Sequence, residues 1–223
     1  MGVSGMAEAP NFAQRGLAYL GDMGARPLSE NEYTTVVEFL GAAGRHRDKL
    51  LLVLGCATGF RITELLSLKW EQVWDGQAPR HEVVVARRNL KGGAGVFARS
   101  LKSRRVPLNE RARAAIAEFA AAAPVPANLQ QCVFATSRSK GGAMGRSRAF
   151  RIIVRAAVAC GIEAERISTH TLRKTFVARV YAASGHDLIK TQRIVGHTSP
   201  LTTARYLETD QDELDDLVRN LAA

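Results

Sequence analysis

The 223-residue chain is poor in aromatic residues and in cysteines. Only 6% of its residues are aromatic, so the 46% that are apolar must build a core of mostly aliphatic side chains, which favours helical packing. The three cysteines, Cys56, Cys132 and Cys160, lie far apart, without C-x-x-C spacing or nearby histidine pairs. We therefore expect neither a disulfide framework nor a zinc site.

The sequence also lacks the motifs of several other classes of protein. It has no P-loop, no G-x-G-x-x-G and no carboxylate cluster, so we expect no ATP, cofactor or metal in its chemistry. The longest uncharged apolar run, 50–60, is too short to span a bilayer. Residues 1–27 lack the basic and apolar regions of a signal peptide. The sequence therefore predicts a cytoplasmic protein without membrane contact.

Positive charge is what the chain has in excess. The net charge is +10, and six carboxylates are concentrated in 207–217, so the remainder carries +16. Ten arginines and lysines lie in 80–113 against two acids, and six lie in 138–155 against none. A nucleic acid is a natural partner for such a surface, although other basic proteins share this composition.

The hydrophobic pattern predicts a mainly α fold with a small antiparallel three-stranded β-sheet. Ser29 and Glu32 have the spacing of a capping box, and a nearly all-apolar helix at 47–57 is expected to be central. Asn109 is a candidate N-cap. Strands are predicted at 82–90, 97–102 and 104–108. Further helices are predicted at about 61–68, 109–123, 146–160, 171–184, 187–195 and 199–206, with one more in the acidic tail.

Three segments contain residues suited to phosphate chemistry. Arg61 stands at a turn into a helix, His170 and Arg173 are one helical turn apart, and His197 precedes Tyr206 by nine residues. Taken singly, each is more often an ordinary surface or core residue. Their occurrence together in this order is what points to a site.

These segments resemble the tyrosine recombinases, also called phage integrases. The family's A-T-G-x-R-x-x-E-L-x-x-L box is found at 57–68, its H-x-L-R-x-T-F box at 170–176, and its G-H-x-S-x-x-T-T-x-x-Y run at 196–206. The resemblance implies the DNA breaking-rejoining fold. Residues 1–27, rich in glycine and alanine with weak periodicity, are expected to form a flexible arm. We expect one catalytic domain at 28–223, without the N-terminal core-binding domain that most members of the family carry.

The resemblance also implies a division of labour. Arg61 and Arg173 would bind the scissile phosphate, and Tyr206 would attack it to form a covalent phosphotyrosine. His170 would accept the proton of Tyr206, and His197 would donate a hydrogen bond to the phosphate, although the two could share these tasks. Glu64 is expected to hold Arg61 or a helix end.

A lysine near a β-turn should protonate the leaving 5′-hydroxyl. The family places it ahead of an R-x-V-P-L-like strand, found here as 104–108. Lys102 precedes that strand and is preferred, although its spacing from Pro107 is shorter than usual. Lys91, in a glycine-rich segment, is the alternative.

The partner implied by the resemblance is double-stranded DNA. The resemblance also implies self-association into a synaptic tetramer, in which a C-terminal helix packs on a neighbouring copy. The acidic tail could form this helix, or it could fold back on its own chain. Competing interpretations are a type IB topoisomerase, which resembles the chain less, and an inactive DNA-binding remnant. Further DNA contacts are expected from Lys91, Arg104, Arg105, Arg146, Arg148 and Lys174.

Overall fold

The computed structural model describes residues 24–85, 104–136, 142–197, 199–207 and 219. Within these ranges the chain is mainly helical. The helices are α1 Glu30–Ala42, α2 His46–Thr58, α3 Ile62–Leu66, α4 Trp70–Val73, α5 Glu110–Ala122, α6 Arg146–Ala159, α7 Thr169–Ala183, α8 Leu188–Val195 and α9 Pro200–Ala204. The strands are β1 Glu82–Val85 and β2 Arg104–Pro107. None of the described helices is long and apolar enough to cross a membrane.

The predicted helices are confirmed, with ends shifted by a few residues. Ser29 and Glu32 form the capping box of α1, and the side chain of Asn109 accepts from the Ala112 backbone N–H at the start of α5. The four-residue α4 was not predicted, because one helical turn is too short to show a hydrophobic period. The predicted helix in the acidic tail lies outside the described residues, apart from Arg219.

The sheet is antiparallel, as predicted. β1 pairs with β2 in the register Glu82↔Pro107 through Val85↔Arg104, so Val83 and Val106 face each other in the core. Two strands are described, whereas the predicted strand 97–102 and the second half of 82–90 fall outside the described residues. In this register Arg104, the first residue of β2, pairs with Val85.

Helix α2 is the centre of the core, which explains its apolar sequence. Leu50, Leu51 and Leu54 are fully buried, and the helix packs against α1, α5 and α7. Gly55 is the point of closest approach to α7, since a Cβ there would stand 2.5 Å from Cδ1 of Leu172. The close packing fixes the C-terminal end of α2 against α7, and both elements lead into the predicted site.

The segment before α1 is hydrogen-bonded to the rest of the fold. The backbone N–H of Arg26 donates to the Arg166 carbonyl at 2.9 Å, and its guanidinium forms an ion pair with Glu32 at 2.6 Å. The backbone N–H of Leu28 donates to the Thr175 hydroxyl. Residues 1–23 lie outside the described residues, so the division at residue 27 stays a prediction.

Candidate active site

The first part of the site is the turn between α2 and α3. Helix α2 ends at Thr58, and Gly59 then adopts a left-handed conformation with φ 59°. A Cβ on Gly59 would stand 2.2 Å from Cδ1 of Phe176, so a side chain has neither a favourable backbone angle nor space there. This turn places Arg61 as the N-cap of α3.

Arg61 is held in place by Glu64. The Glu64 carboxylate, 1% exposed, accepts from the Arg61 backbone N–H at 2.8 Å and from Nη1 at 3.0 Å. The predicted role of Glu64 is confirmed, and one carboxylate performs both parts of it. Arg61 itself keeps 36% of its side chain exposed, so it remains accessible to a ligand.

Arg173, from α7, is the largest fully buried side chain of the described residues. Its Nη1 donates to the Gly59 carbonyl, while its Nε finds no hydrogen-bond partner within the part of the chain that the structure describes. Burial lowers the pKa of Arg173, and the positive charge of Arg61 lowers it further. Holding a guanidinium in these surroundings is costly unless an anion joins it.

His197 lies just beyond α8, after the left-handed Gly196. Its Nδ1 is hydrogen-bonded to the Thr203 hydroxyl at 2.9 Å, and its Nε2 is buried without a partner among the described residues. Burial lowers the pKa of His197 to about 4, aided by the positive charges of Arg173, Arg61 and Arg104. The ring is therefore neutral at neutral pH.

Tyr206 follows α9 and is half-buried. Its ring packs with Phe176, Val177 and Val195, and its centroid lies 5.1 Å from that of His197. The Arg173 guanidinium carbon stands 5.6 Å from the centre of the same ring. The structure thus brings Arg173 of α7 together with His197, which follows α8, and Tyr206, which follows α9.

His170 stands in the first turn of α7, on the solvent side of the site. Nearby protein atoms partly desolvate the ring although the residue remains exposed, and this lowers its pKa together with the charges of Arg173, Arg61 and Lys174. His170 and Tyr206 line the same open pocket of about 200 Å³. The other lining residues are Ala25, Ser168, Lys174 and Arg205.

Arg104 joins this group, although the sequence placed it among peripheral DNA contacts. Its Nη2 donates to the Thr58 carbonyl at 2.9 Å, and its guanidinium lies 5.2 Å above the Phe60 ring. Burial lowers its pKa to about 10, and the charge of Arg173 adds to the effect. No local signal in the sequence distinguishes Arg104 from its neighbour Arg105.

Of the remaining predicted residues, Lys174 lines the pocket, whereas the others lie away from it or outside the described residues. Arg105 is exposed and paired with Glu82 at 2.5 Å, and Arg146 and Arg148 are exposed in the first turn of α6. Lys174 is buried, 8% exposed, and lines the pocket. Lys91 and Lys102 lie outside the described residues. No group of three or more potential metal ligands occurs within the described ranges.

The described residues form a mainly helical domain whose predicted site gathers arginines, two histidines with lowered pKa and a tyrosine, a set of groups suited to binding a phosphate. The sequence profile of the phage integrase family matches residues 26–213. The chain belongs to this family.

Individual relatives agree with this assignment. The chain is 32% identical over 203 residues to tyrosine recombinase XerD of Bradyrhizobium diazoefficiens, covering 88% of this chain and 58% of the relative. It is 31% identical over 166 residues to the probable integrase/recombinase YoeC of Bacillus subtilis, covering 74% of this chain and 80% of the relative. The fold matches the crystal structure of XerA recombinase with a TM-score of 0.65 and 23% identity, over 90% of this chain and 65% of that one.

Proposed function

We propose that this chain is the catalytic domain of a site-specific DNA recombinase that cleaves and rejoins strands through a phosphotyrosine at Tyr206. The observation that carries the proposal is the position of Tyr206, whose ring stands beside a neutral His197 and above the buried guanidinium of Arg173. The chain spans 58% of the length of the Bradyrhizobium XerD. Because a large part of that relative has no counterpart here, the proposal rests on the residues of this chain.

The arginines bind the phosphodiester. Arg61 is held by Glu64 and Arg173 by the Gly59 carbonyl, so both guanidiniums are fixed before DNA arrives. Planar guanidiniums stay charged at any working pH and offer paired donors to the two non-bridging oxygens. Such fixed donors stabilise the additional negative charge of the pentavalent transition state.

Tyr206 supplies the nucleophile. Its oxygen forms the new bond to phosphorus as the bond to the 5′-oxygen breaks, which leaves a 3′-phosphotyrosine and a free 5′-hydroxyl. The energy of the phosphodiester is retained in the covalent link, so attack by a 5′-hydroxyl rejoins the strand without ATP or metal.

Proton transfer is assigned to His170 and a lysine, and a hydrogen bond to the phosphate is assigned to His197. His170 accepts the Tyr206 proton, because its lowered pKa keeps it neutral and it shares a pocket with Tyr206. If Thr203 donates to Nδ1 of His197, the buried Nε2–H is an unused donor for a phosphate oxygen. Lys102, or Lys91 in its place, protonates the leaving 5′-oxygen.

We further propose that double-stranded DNA is the substrate and that the protein acts on it in the cytoplasm. Exposed Arg105, Arg146 and Arg148 would contact phosphates around the cleavage site, so binding should weaken steeply with salt. Solved relatives include XerH bound to its difH substrate and a lambda integrase dimer bound to a core site.

Assembly on DNA is the second part of the proposal. Leu201, Ile194 and Ile189 remain 73%, 54% and 48% exposed on α8 and α9. We assign this apolar surface to the C-terminal segment 208–221 of a neighbouring copy, whose leucines and valine recur at helical spacing. Exchange of this segment would build the synaptic tetramer.

A covalent trap tests the catalytic proposal. A nicked suicide substrate should leave a protein–DNA adduct on a denaturing gel, and Tyr206→Phe should abolish it. Tyr181→Phe removes a hydroxyl from α7, where Tyr181 packs on His186, and should leave the adduct intact. An adduct that persists in Tyr206→Phe, or its absence on every substrate tested, contradicts the mechanism. Relaxation of supercoiled plasmid by the monomer would favour a topoisomerase.

A further inference from the structure

Arg104 adds a third positive charge to the site that contains Arg61 and Arg173. Its guanidinium donates to the Thr58 carbonyl, and that of Arg173 donates to the carbonyl of the next residue, Gly59. Burial lowers the pKa of Arg104, and the charges of Arg173 and Arg61 lower it further. The carboxylate in this group is Glu64, whose oxygens accept from Arg61. Within the described residues, the cluster of three arginines and Glu64 thus has two positive charges in excess.

A purely structural role explains only part of this arrangement. Arg104 does hold the Thr58 carbonyl at the end of α2, and its guanidinium stacks on Phe60. A neutral donor could make the same hydrogen bond without burying a charge beside like charges. The Nε of Arg104 is also buried, and it has no hydrogen-bond partner among the described residues.

The position of this nitrogen is informative. The Nε and Cδ of Arg104 lie 3.6 Å from the point where a side chain on Gly196 would begin, directly before His197 in the chain. His197 and Arg173 also have a buried nitrogen without a partner in the described part of the chain. Unpartnered donors on β2, on α7 and after α8 are what a preformed oxyanion site requires.

We propose that Arg104 is a third phosphate-binding arginine of this site, acting with Arg61 and Arg173 on the oxygens of one phosphate group. The identity of that phosphate as a DNA phosphodiester rests on the proposed function. Tetrahedral oxyanions in general share the chemistry, so inorganic sulfate is a suitable probe of the site itself. This proposal makes Arg104 a member of the catalytic centre, whereas the sequence predicted only a further contact with DNA.

Sulfate binding to the full chain tests the assignment. At constant ionic strength set with chloride, sulfate should raise the melting temperature saturably, and Arg104→Gln should weaken sulfate affinity about tenfold or more. Arg80→Gln makes the same charge change on an exposed arginine that contacts the Glu71 carbonyl, and should bind sulfate as the wild type does. Wild-type affinity in Arg104→Gln, or the absence of any saturable effect in the wild type, overturns the proposal.

A second measurement does not depend on the folding of Arg104→Gln. The Nε–H resonance of Arg104, assigned by its loss in Arg104→Lys, should shift with sulfate and saturate with the melting curve. A resonance that stays in place while sulfate binds elsewhere refutes the assignment. Neither measurement needs DNA cleavage. Sulfate binding through Arg104 in a protein that forms no DNA adduct would therefore refute the proposed function alone.

Discussion

The imidazole of His197 and the phenol ring of Tyr206 lie with centroids 5.1 Å apart and planes inclined by 32°. The Thr203 hydroxyl fixes the imidazole through a hydrogen bond with Nδ1. One short stretch of chain, from Gly196 through α9, therefore orients the proposed nucleophile and its neighbouring histidine together. The functional consequences of this arrangement can be measured, as can those of the turn at Gly59 and of the Glu64 carboxylate.

Thr203→Val should slow DNA cleavage more than it destabilises the fold. The substitution keeps the shape of the side chain but removes the hydrogen bond to His197, so the ring loses its orientation. Loss of a buried hydrogen bond costs about 1–3 kcal/mol, and if that loss falls on the transition state the cleavage rate drops roughly 5- to 150-fold. Single-turnover cleavage of a suicide substrate measures it. Thr202→Val, one position earlier on α9, should cleave at nearly the wild-type rate, and equal rates for both variants would contradict the role of Thr203.

Stability should fall between pH 6.5 and pH 4 partly because of His197. Its pKa is lowered from 6.5 to about 4, so the unfolded chain takes up a proton first as the pH falls. The contribution is complete above pH 6.5 and is lost as the pH approaches 4, up to about 3 kcal/mol. Urea unfolding at several pH values should show a shallower loss in His197→Gln. His81→Gln, an exposed control, should keep the wild-type slope, and an unchanged slope in His197→Gln would rule out the lowered pKa.

Gly59→Ala should be strongly destabilising. The left-handed backbone costs an alanine about 1–2 kcal/mol, and the collision of its Cβ with Phe176 adds about 1–3 kcal/mol. Gly44→Ala separates the two effects, because Gly44 has φ +64° and nothing within 4 Å of its Cβ position. Thermal unfolding should rank the wild type first, Gly44→Ala next and Gly59→Ala last. Equal losses in the two variants would mean that contact with Phe176 is unimportant.

Glu64→Gln should weaken both the fold and the site. The substitution removes the negative charge that holds Arg61 at two donors, inside a group of three arginines. We expect a loss of about 1–3 kcal/mol in unfolding free energy and slower cleavage. Glu38→Gln, an exposed change on α1, is the matched control for both assays. A Glu64→Gln protein with wild-type stability and rate would show that the carboxylate is dispensable.

Most of the described secondary structure and the family could be predicted from the sequence alone. Capping residues such as Ser29 and Asn109 and the apolar run of α2 act over a few residues, so a local pattern is enough to recognise them. The boxes around Arg61, Arg173 and Tyr206 carried the resemblance because they combine several residues at fixed spacing. The four-residue α4 was not predicted, because a single helical turn is too short to show a hydrophobic period.

Which charged residues share a site could not be predicted from the sequence, because it depends on the tertiary structure. Arg104 and Arg105 are adjacent in the sequence, yet Arg105 pairs with Glu82 at the surface while the half-buried Arg104 joins Arg173. Strand alternation sends neighbouring side chains to opposite faces, and the packing of β2 against the end of α2 determines what each one meets. The low pKa of His197 likewise depends on burial and on distant arginines. Such long-range electrostatics arise only when remote segments fold together.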